Sequence, residues 1–418
     1  MNATAATQST LQRYQAVRLA SEALCEPLAI EDYVVQSIKD TSPPKWHLAH
    51  TTWLFETFIL IPNVPHYQVF DPMYTYLFNS YYNGIGNQFA RDKRGLLSRP
   101  TVGTVYKYRS HIDEAMLELM DRSNAFNALV ELGIHHEQQH QELLLMDVKH
   151  NFSLHPQFPA YRADTGSAET RAAQNWPVRH CEFESQVCGI GHSGPDFCYD
   201  NERPFHKEYI HAYQIRDRLV TNGDYLQFMD AGGYQNPAWW LSDGWDAARN
   251  NQWNSPLYWK QIDGDWYEFT LSGLKKLCPD EPVVHVSYFE ANAFATWKRE
   301  RLPTEAEWEH FAGKNRIEAS PGKFMEGNRF HPQKRSSGES QALGDVWEWT
   351  SSDYGPYPGF KPLSGLVSEY NGKFMCNQKV LRGGACVTPV THIRPTYRNY
   401  FACDKRWQFS GIRLANDI

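Results

Sequence analysis

The chain has 418 residues. A single compact hydrophobic core rarely supports a chain of this length, so we expect two domains. Charged residues make up 21% of it and the formal net charge is −7, which argues against nucleic acid or an anionic membrane as the main partner. The sequence has no apolar run long enough to cross a bilayer, its first residues lack the basic start and apolar core typical of a secretory signal, and its eight cysteines lack CxxC spacing. We therefore expect a cytoplasmic protein with reduced thiols, and composition leaves its oligomeric state open.

The first part of the chain has the apolar periodicity of helices. This pattern predicts helices at residues 11–28, 30–38, 47–59, 104–120 and 124–150. Prolines at positions 43, 44 and 65 separate the early helices from one another. Helices of this number and length form a bundle, and we place it at residues 1–155.

The composition changes after the predicted bundle. Residues 156–175 are rich in Pro, Ala, Gly, Ser and Thr, which is typical of a linker. Residues 176–418 then alternate short apolar stretches with loops rich in Gly, Asn and Trp, which predicts an irregular domain of strands and helices. The fold class predicted for the chain is therefore α+β, with a helical bundle followed by a mixed domain.

The segment HEQQHQE, residues 136–142, is the strongest chemical signal in the predicted bundle. His136 and His140 stand four residues apart, so their imidazoles share one helical face and can reach a common divalent metal. Glu142 lies about 200° round the helix from His140, so we do not expect it to be a ligand from that face. An isolated pair of this kind is more often solvated or part of a core, and the neighbouring motifs decide between these interpretations.

Two further segments of the first domain carry groups suited to a catalytic site. KWHLAHTTW, residues 45–53, places His47 and His50 three residues apart on a predicted helix. These histidines supply a third metal ligand or form a polar-tipped core face. Tyr81 and Tyr82 follow in a loop, where a phenol can donate a proton or where the pair can act as an aromatic plug.

Arginines and an amide offer contacts to a substrate. Arg91 and Arg94 can hold a carboxylate through paired hydrogen bonds, although arginines in loops are ordinarily solvated. Gln139 stands three residues after His136 and can aim its amide at a ligand beside the histidines, although a helical glutamine is usually exposed.

The second domain carries three motifs: LPTEAEWE at 302–309, GDVWEWT at 344–350 and VLRGG at 380–384. They predict buried tryptophans, an acid-capped helix and glycines where backbones approach closely. Together they resemble the formylglycine-generating-enzyme (sulfatase-modifying-factor) fold, an elaborated C-type-lectin-like domain. Those enzymes use a cysteine pair, but the context of Cys386 and Cys403 does not match it, so we expect both cysteines to be structural.

The first domain resembles the DinB-like four-helix bundles, in which one histidine from an early helix joins two from a later helix. On that resemblance His50, the histidine of the LAH sequence, completes a metal site with His136 and His140, and His47 supports it. A DinB-like bundle followed by a C-type-lectin-like domain resembles the ergothioneine-biosynthetic sulfoxide synthases (EgtB type). The likeness extends from WHLAHTTW through HEQQHQE to RWQFSGIRLA.

This resemblance implies a non-haem iron(II) oxygenase. Enzymes of that family hold Fe(II) with three histidines and use O2 to join a thiol to C2 of the imidazole of hercynine, which is N-α-trimethylhistidine. The product is a sulfoxide. The substrates expected here are therefore hercynine, O2 and either cysteine or γ-glutamylcysteine. Iron is implied by the family, because three histidines also bind zinc.

The resemblance also assigns roles to tyrosines. In the branch of the family that uses free cysteine, a pair at the position of Tyr81 and Tyr82 is thought to supply the reacting phenol. The branch that uses γ-glutamylcysteine has its tyrosine in the second domain, ahead of VLRGG. Residues 360–364 contain no tyrosine, although Tyr370 lies nearby, so the sequence favours cysteine as the thiol.

The hercynine contacts implied by the family fall near the C-terminus. Asn399, Tyr400 and Phe401 match the family segment that binds this substrate. A trimethylammonium group has no hydrogen to donate, and aromatic faces hold it best. The same residues would otherwise form a closing strand of the domain.

Three other functions compete with a sulfoxide synthase of this kind. The nearest is the sister synthase that joins cysteine to C5 of unmethylated histidine for ovothiol. A zinc-dependent thiol S-transferase built on a DinB-like bundle would consume no O2. A lectin-like binding protein with a structural metal would show no turnover.

Overall fold

Two compact units make up the structure, a computed structural model that describes residues 8–163, 177–315, 319, 323–334 and 340–418. The first unit comprises Met1–His155 and Leu363–Tyr370, and the second comprises Pro156–Pro362 and Asn371–Ile418. Of the predicted linker, residues 164–175 lie outside the described residues. The predicted α+β class is confirmed, since the first unit is helical and the second combines strands with helices.

Most helices of the first unit follow the apolar patterns of the sequence. Their bounds are α1 Thr10–Ala23, α2 Pro44–Phe55, α3 Ile61–Asn63, α4 Tyr74–Phe78, α5 Val102–Arg122 and α6 Asn127–Ser153. The chain continues from α2 into a π-helical turn at Glu56–Leu60. Helix α1 packs on α6, and α2 packs on both α5 and α6. This arrangement sets the histidines of α2 beside those of α6.

The helix predicted at residues 30–38 is wrong. Only Ile30–Val34 is helical there, as a short 3-10 turn. The Asp32 carboxylate accepts the N–H of Ala29, and the side-chain amide of Gln36 donates to two backbone carbonyls elsewhere in the unit. These side-chain hydrogen bonds satisfy the backbone in a turn and compete with a longer helix.

The second unit contains short strands and helices. Its strands are β1 His180–Phe183, β2 Gln186–Ile190, β3 His206–Ile210, β4 Tyr213–Arg216, β5 Trp259–Ile262, β6 Asp265–Thr270, β7 Gly273–Lys276, β8 Trp347–Asp353, β9 Lys379–Arg382, β10 Asn399–Phe401, β11 Ser410–Gly411 and β12 Ala415–Asp417. Its helices are α7 Asn222–Asp230, α8 Ser242–Asn250, α9 Tyr288–Lys298 and α10 Glu305–Lys314. The strands pair in the orders β1-β4-β12, β10-β9-β8-β11, β2-β3 and β5-β6-β7.

Two of the second unit's motifs meet in its core, in the structural role that the sequence predicts. Thr304 and Glu307 form the capping box of α10. The buried Trp308 indole donates to the carboxylate of Glu348 across 2.7 Å, and Arg413 forms an ion pair with the same carboxylate at 2.6 Å. Helix α10, strand β8 and the segment between β11 and β12 are thus joined through one buried acid.

All eight cysteines lie within the described residues as free thiols, including Cys386 and Cys403. Cys386 is buried. Among the described helices, none is both long and apolar enough to cross a bilayer.

Close packing of α6 on α2 leads to a testable prediction. A Cβ added at Gly133 would stand 2.4 Å from the ring of Phe55, which is itself buried. Gly133→Ala should therefore lower the free energy of unfolding by about 1–3 kcal/mol, because overpacking outweighs the better helix propensity of alanine. Urea unfolding followed by far-ultraviolet circular dichroism measures the change.

Gly103 offers the matched control for this substitution. It lies in α5, and an added Cβ there would meet nothing within 4 Å. Gly103→Ala should leave the stability unchanged or raise it by up to about 1 kcal/mol. A Gly133→Ala protein as stable as Gly103→Ala would contradict the close approach of the two helices.

Candidate metal centre

Three histidines of the first unit converge on one point. Helix α2 supplies His50, and α6 supplies His136 and His140. One ring nitrogen from each lies within 4.8 Å of the others, and the Nε2 atoms of His50 and His136 are 3.2 Å apart. His50 and His136 are buried, whereas His140 is partly exposed. The spacing of four in α6 thus places two imidazoles on the same side as the single histidine of α2.

Hydrogen bonds orient the rings at this point. The Nδ1 of His50 lies 2.6 Å from the carbonyl oxygen of Phe78 and donates a hydrogen bond to it. The other ring nitrogen, Nε2, therefore carries the free lone pair. The Nδ1 of His140 lies 2.9 Å from His47 Nδ1. The Nδ1 of His136 is buried with no hydrogen-bond partner among the described residues. The free nitrogen of His50 is therefore Nε2, and it faces the Nε2 of His136.

The geometry fits a divalent metal. Nitrogen ligands at about 2.1 Å from a metal, separated by tetrahedral or right angles, lie roughly 3.0–3.4 Å from each other. The Nε2 atoms of His50 and His136 fall inside that interval. Three imidazoles also leave coordination positions for substrates, as a catalytic site requires. The metal role of His50, His136 and His140 stays a prediction that this geometry suits.

Electrostatics keep the three rings neutral. Burial lowers the pKa of His136 to about 3. Burial, followed by repulsion from neighbouring imidazoles, holds the pKa values of His50 and His140 well below the usual histidine range. Neutral imidazoles have the lone pairs that metal binding needs, so this cluster can take up a cation without first losing protons.

Aromatic rings shield one side of the centre. Trp46 stacks on His50 with ring centres 4.5 Å apart, and Trp53 stacks on the same imidazole at 5.5 Å. The guanidinium of Arg94 lies 3.4 Å from the centre of the Trp46 ring. Such packing restricts the rotation of His50 and excludes water from its faces.

A buried ion-pair network holds α6, the helix that carries His136 and His140, against its neighbours. Glu137, adjacent to His136, is fully buried and receives hydrogen bonds from Arg18 at 2.9 Å and Arg109 at 3.0 Å. Arg18 comes from α1 and Arg109 from α5, so one carboxylate ties three helices together. This network fixes the rotation of α6 and, with it, the direction of His136.

The predicted tyrosine pair lies next to Trp53, one of the rings that stack on His50. Tyr82 is completely buried and packs against Trp53, with ring centres 5.8 Å apart. Tyr81 stacks on Tyr82 at 4.6 Å and is partly exposed. The Tyr81 hydroxyl lies 3.5 Å from the carbonyl oxygen of Tyr370. The structure therefore brings the pair close to the histidine cluster, and their catalytic role stays a prediction.

Tyr370 is a functional candidate to which the sequence motifs assign no role. Its hydroxyl donates to the Oε1 of Gln139 across 2.7 Å, and its ring centre is 6.0 Å from that of His136. Glu369 holds this segment in place by accepting the backbone N–H groups of Asn83 and Gly84. A tyrosine ahead of VLRGG was the available signal, but the return of residues 363–370 to the first unit is not visible in the sequence.

The two predicted carboxylate-binding arginines have different surroundings. Arg94 is buried, donates to Ser42 Oγ at 2.9 Å and has its Nε without a partner among the described residues. Arg91 is exposed and donates to the carbonyl oxygen of Asp40. Arg94 therefore has a group available to a buried ligand, whereas Arg91 faces solvent.

The second unit holds the segment predicted to bind hercynine. Asn399, Tyr400 and Phe401 form β10, which pairs with β9. Tyr400 stacks on Tyr354 with ring centres 3.9 Å apart, and Phe401 packs edge-on against Trp407. The strand interpretation of this segment is therefore correct, and one face of the Tyr400 ring is covered. Cation binding by these residues stays a prediction.

Comparison with known proteins identifies relatives over nearly the whole chain. The family described as sulfatase-modifying factor enzyme 1-like domain matches residues 163–339 and 333–418. The chain is 30% identical over 405 residues to a hercynine oxygenase of Mycobacterium tuberculosis, which covers 90% of this chain and 91% of that protein. It is 29% identical over 406 residues to a hercynine oxygenase of Mycolicibacterium thermoresistibile, with 90% and 88% covered. Ergothioneine biosynthesis protein 1 of Schizosaccharomyces pombe is 28% identical over 234 residues, 53% of this chain and 28% of that protein.

Fold, site and relatives together define an oxidoreductase of the oxygenase class, with a DinB-like helical unit and a sulfatase-modifying-factor-like unit. The chain belongs to the hercynine oxygenase family. The family expected from the sequence motifs is confirmed. The relatives do not distinguish its branches, so the thiol used by this chain is a separate question.

Proposed function

We propose that this chain is an iron(II)-dependent sulfoxide synthase that joins a thiol to C2 of the hercynine imidazole with O2, in ergothioneine biosynthesis. The observation that carries the proposal is the convergence of three neutral histidines beside the Gln139–Tyr370 hydrogen bond. The names of the curated relatives support the substrate. Iron is preferred to zinc because the reaction reduces O2, and zinc has no redox chemistry.

The reaction balances with O2 as the oxidant. The imidazole C–H and the thiol S–H bonds break, and one C–S bond forms. One oxygen atom of O2 ends on sulfur, while the other leaves as water with the two hydrogens. When bound, iron(II) supplies a centre at which both substrates and O2 meet and electrons pass to O2.

The residues of this chain position the substrates. Gln139 is proposed to donate from its amide nitrogen to the substrate imidazole, since its Oε1 already accepts from Tyr370. Arg94, assisted by Arg91, is proposed to bind the carboxylate of the thiol substrate. Tyr400 and Phe401, with Asn399 as polar neighbour, are proposed to meet the trimethylammonium group.

The position of Tyr370 weakens the argument for cysteine. The sequence favours cysteine because residues 360–364 contain no tyrosine, yet a tyrosine ahead of VLRGG lies beside His136 in the structure. Tyr81 and Tyr82 support cysteine as the thiol, and Tyr370 supports γ-glutamylcysteine. The proposed substrate is therefore a cysteine-type thiol, the class to which cysteine and γ-glutamylcysteine both belong.

The donor is decided by competition. Fe(II)-loaded protein receives equal concentrations of cysteine and γ-glutamylcysteine with hercynine and air, and mass spectrometry identifies the products. We expect one hercynyl thiol sulfoxide to dominate. Histidine replaces hercynine in a parallel reaction, and a sulfoxide formed faster from histidine than from hercynine would favour the ovothiol-type synthase and overturn the proposal.

Removal of single phenols tests the tyrosines. Tyr370→Phe, Tyr81→Phe and Tyr82→Phe each keep the ring and lose the hydroxyl. Loss of the phenol that supplies the proton should lower sulfoxide formation by about 100-fold or more and divert turnover toward thiol oxidation. The exposed Tyr76 provides the control, because Tyr76→Phe should leave the product ratio unchanged. Unchanged ratios in all three site variants would remove the tyrosines from the mechanism.

A further inference from the structure

We propose that Asp147 and His47 form a hydrogen-bonded relay that fixes the ring of His140 with its Nε2 presented to the metal. The inference rests on the proposed metal centre and deepens it. It assigns a positioning role to two buried residues, one of which belongs to no sequence motif singled out above.

The relay is continuous in the structure. His47 Nε2 lies 3.0 Å from Asp147 Oδ2, and His47 Nδ1 lies 2.9 Å from His140 Nδ1. His47 and Asp147 are each 3% exposed, so water does not compete for these contacts. The backbone N–H of Ser42 donates to the same Asp147 oxygen at 2.7 Å, which holds the carboxylate toward His47.

The proposed relay has both imidazoles neutral, and this places each proton on one nitrogen. A carboxylate only accepts hydrogen bonds, so the His47 Nε2 that faces Asp147 carries a hydrogen. A neutral imidazole has one N–H, which makes His47 Nδ1 an acceptor. His140 Nδ1 must then be the donor across the 2.9 Å contact. The remaining nitrogen of His140, Nε2, is left with the lone pair that a metal binds.

The other two histidines of the centre are oriented differently. His50 donates to the carbonyl of Phe78, and His136 has no partner for Nδ1 among the described residues. Of the three rings, His140 is thus the one whose outer nitrogen leads to a carboxylate. It is also the partly exposed ring, whose orientation is least restrained by burial. A charged hydrogen-bond partner at the end of the relay restrains the ring and raises its basicity toward the metal.

Metal binding by the full-length protein tests the relay. Fe(II) and Co(II) dissociation constants are measured anaerobically against a competing chelator, and the visible spectrum of the Co(II) form reports ligand geometry. Asp147→Asn presents an amide that both donates and accepts, so it no longer fixes the proton on His47. Asp147→Asn and His47→Phe should each weaken metal binding by about 10–100-fold and change the Co(II) spectrum.

Two further variants separate the relay from general destabilisation. Asp147→Glu keeps a group that only accepts and should bind metal more tightly than Asp147→Asn. His135 lies on the same helix, is buried and bridges to Glu131, so His135→Phe is the matched control that should retain the wild-type dissociation constant and spectrum. In the double variant of His47 and Asp147 the loss should not exceed that of the larger single variant, since both act through one path.

The outcomes distinguish the two proposals. Wild-type protein that binds neither metal would overturn the metal centre and the relay together. Wild-type binding with unchanged constants and spectra in Asp147→Asn and His47→Phe would overturn the relay alone and leave the proposed function standing. Losses of metal affinity that add up in the double variant of His47 and Asp147 would also overturn the relay.

Discussion

Replacement of His136 by alanine is expected to abolish metal binding and O2 consumption. The substitution removes one of the three proposed ligands from a centre in which the Nε2 atoms of His50 and His136 lie 3.2 Å apart. Loss of a direct ligand should exceed the roughly 100-fold upper range seen when an outer partner is lost. Metal content after anaerobic Fe(II) loading and O2 uptake with both substrates measure the effect.

The adjacent histidine provides the control for this prediction. His135 is also buried in α6 but bridges to Glu131 one turn earlier. His135→Ala should keep the metal content and the O2 uptake of the wild type, at some expense of stability. Equal loss in both variants would indicate damage to the helix and would contradict a specific role for His136.

Removal of the Glu137 carboxylate is expected to have the largest effect on stability. In Glu137→Ala, the buried guanidiniums of Arg18 and Arg109 lose their shared partner. Breaking a buried ion pair in this way costs about 3–5 kcal/mol. Urea unfolding followed by far-ultraviolet circular dichroism reports mainly on the helices of the first unit, so the earliest helical transition should move to lower urea.

Glu131 of the same helix is the matched control. It pairs with Arg13, and both side chains are partly exposed, so Glu131→Gln should cost at most about 1 kcal/mol. Comparable losses in Glu137→Ala and Glu131→Gln would contradict the role given to the buried network.

The same ion-pair network makes the stability of the protein depend on pH. Burial alone would raise the pKa of Glu137, but Arg18 and Arg109 outweigh burial and lower it to about 2. Because the folded pKa lies below the unfolded one, this stabilisation is present above the ordinary glutamate range and is lost as the pH falls toward 2. Wild-type protein should therefore lose more stability on acidification than Glu137→Ala.

The sequence predicts much of the helical unit and part of its site. Spacing of four residues places His136 and His140 on one face, and proline and apolar periodicity locate α2, α5 and α6 to within a few residues. The convergence of His50 with this pair required the family resemblance. No local pattern specifies which helices pack side by side.

The missing parts depend on contacts between distant segments. Tyr370 reaches Gln139 only because residues 363–370 return to the first unit, more than two hundred positions after α6. Asp147 gives no signal in the sequence, since its contact with His47 joins two helices. The helix prediction for residues 30–38 fails because side-chain hydrogen bonds stabilise a turn there.

Identification of the product is the decisive test of sulfoxide synthesis by this protein. Fe(II)-loaded protein is supplied with hercynine, cysteine, γ-glutamylcysteine and O2, and each component is left out in turn. A sulfoxide synthase should give a product with the summed mass of hercynine and one thiol, plus one oxygen atom from O2 and minus two hydrogens, and only when hercynine, O2 and the thiol that it uses are all present. Uptake of O2 that yields oxidised thiol and no sulfoxide, by protein with His50, His136 and His140 metallated, would contradict this function.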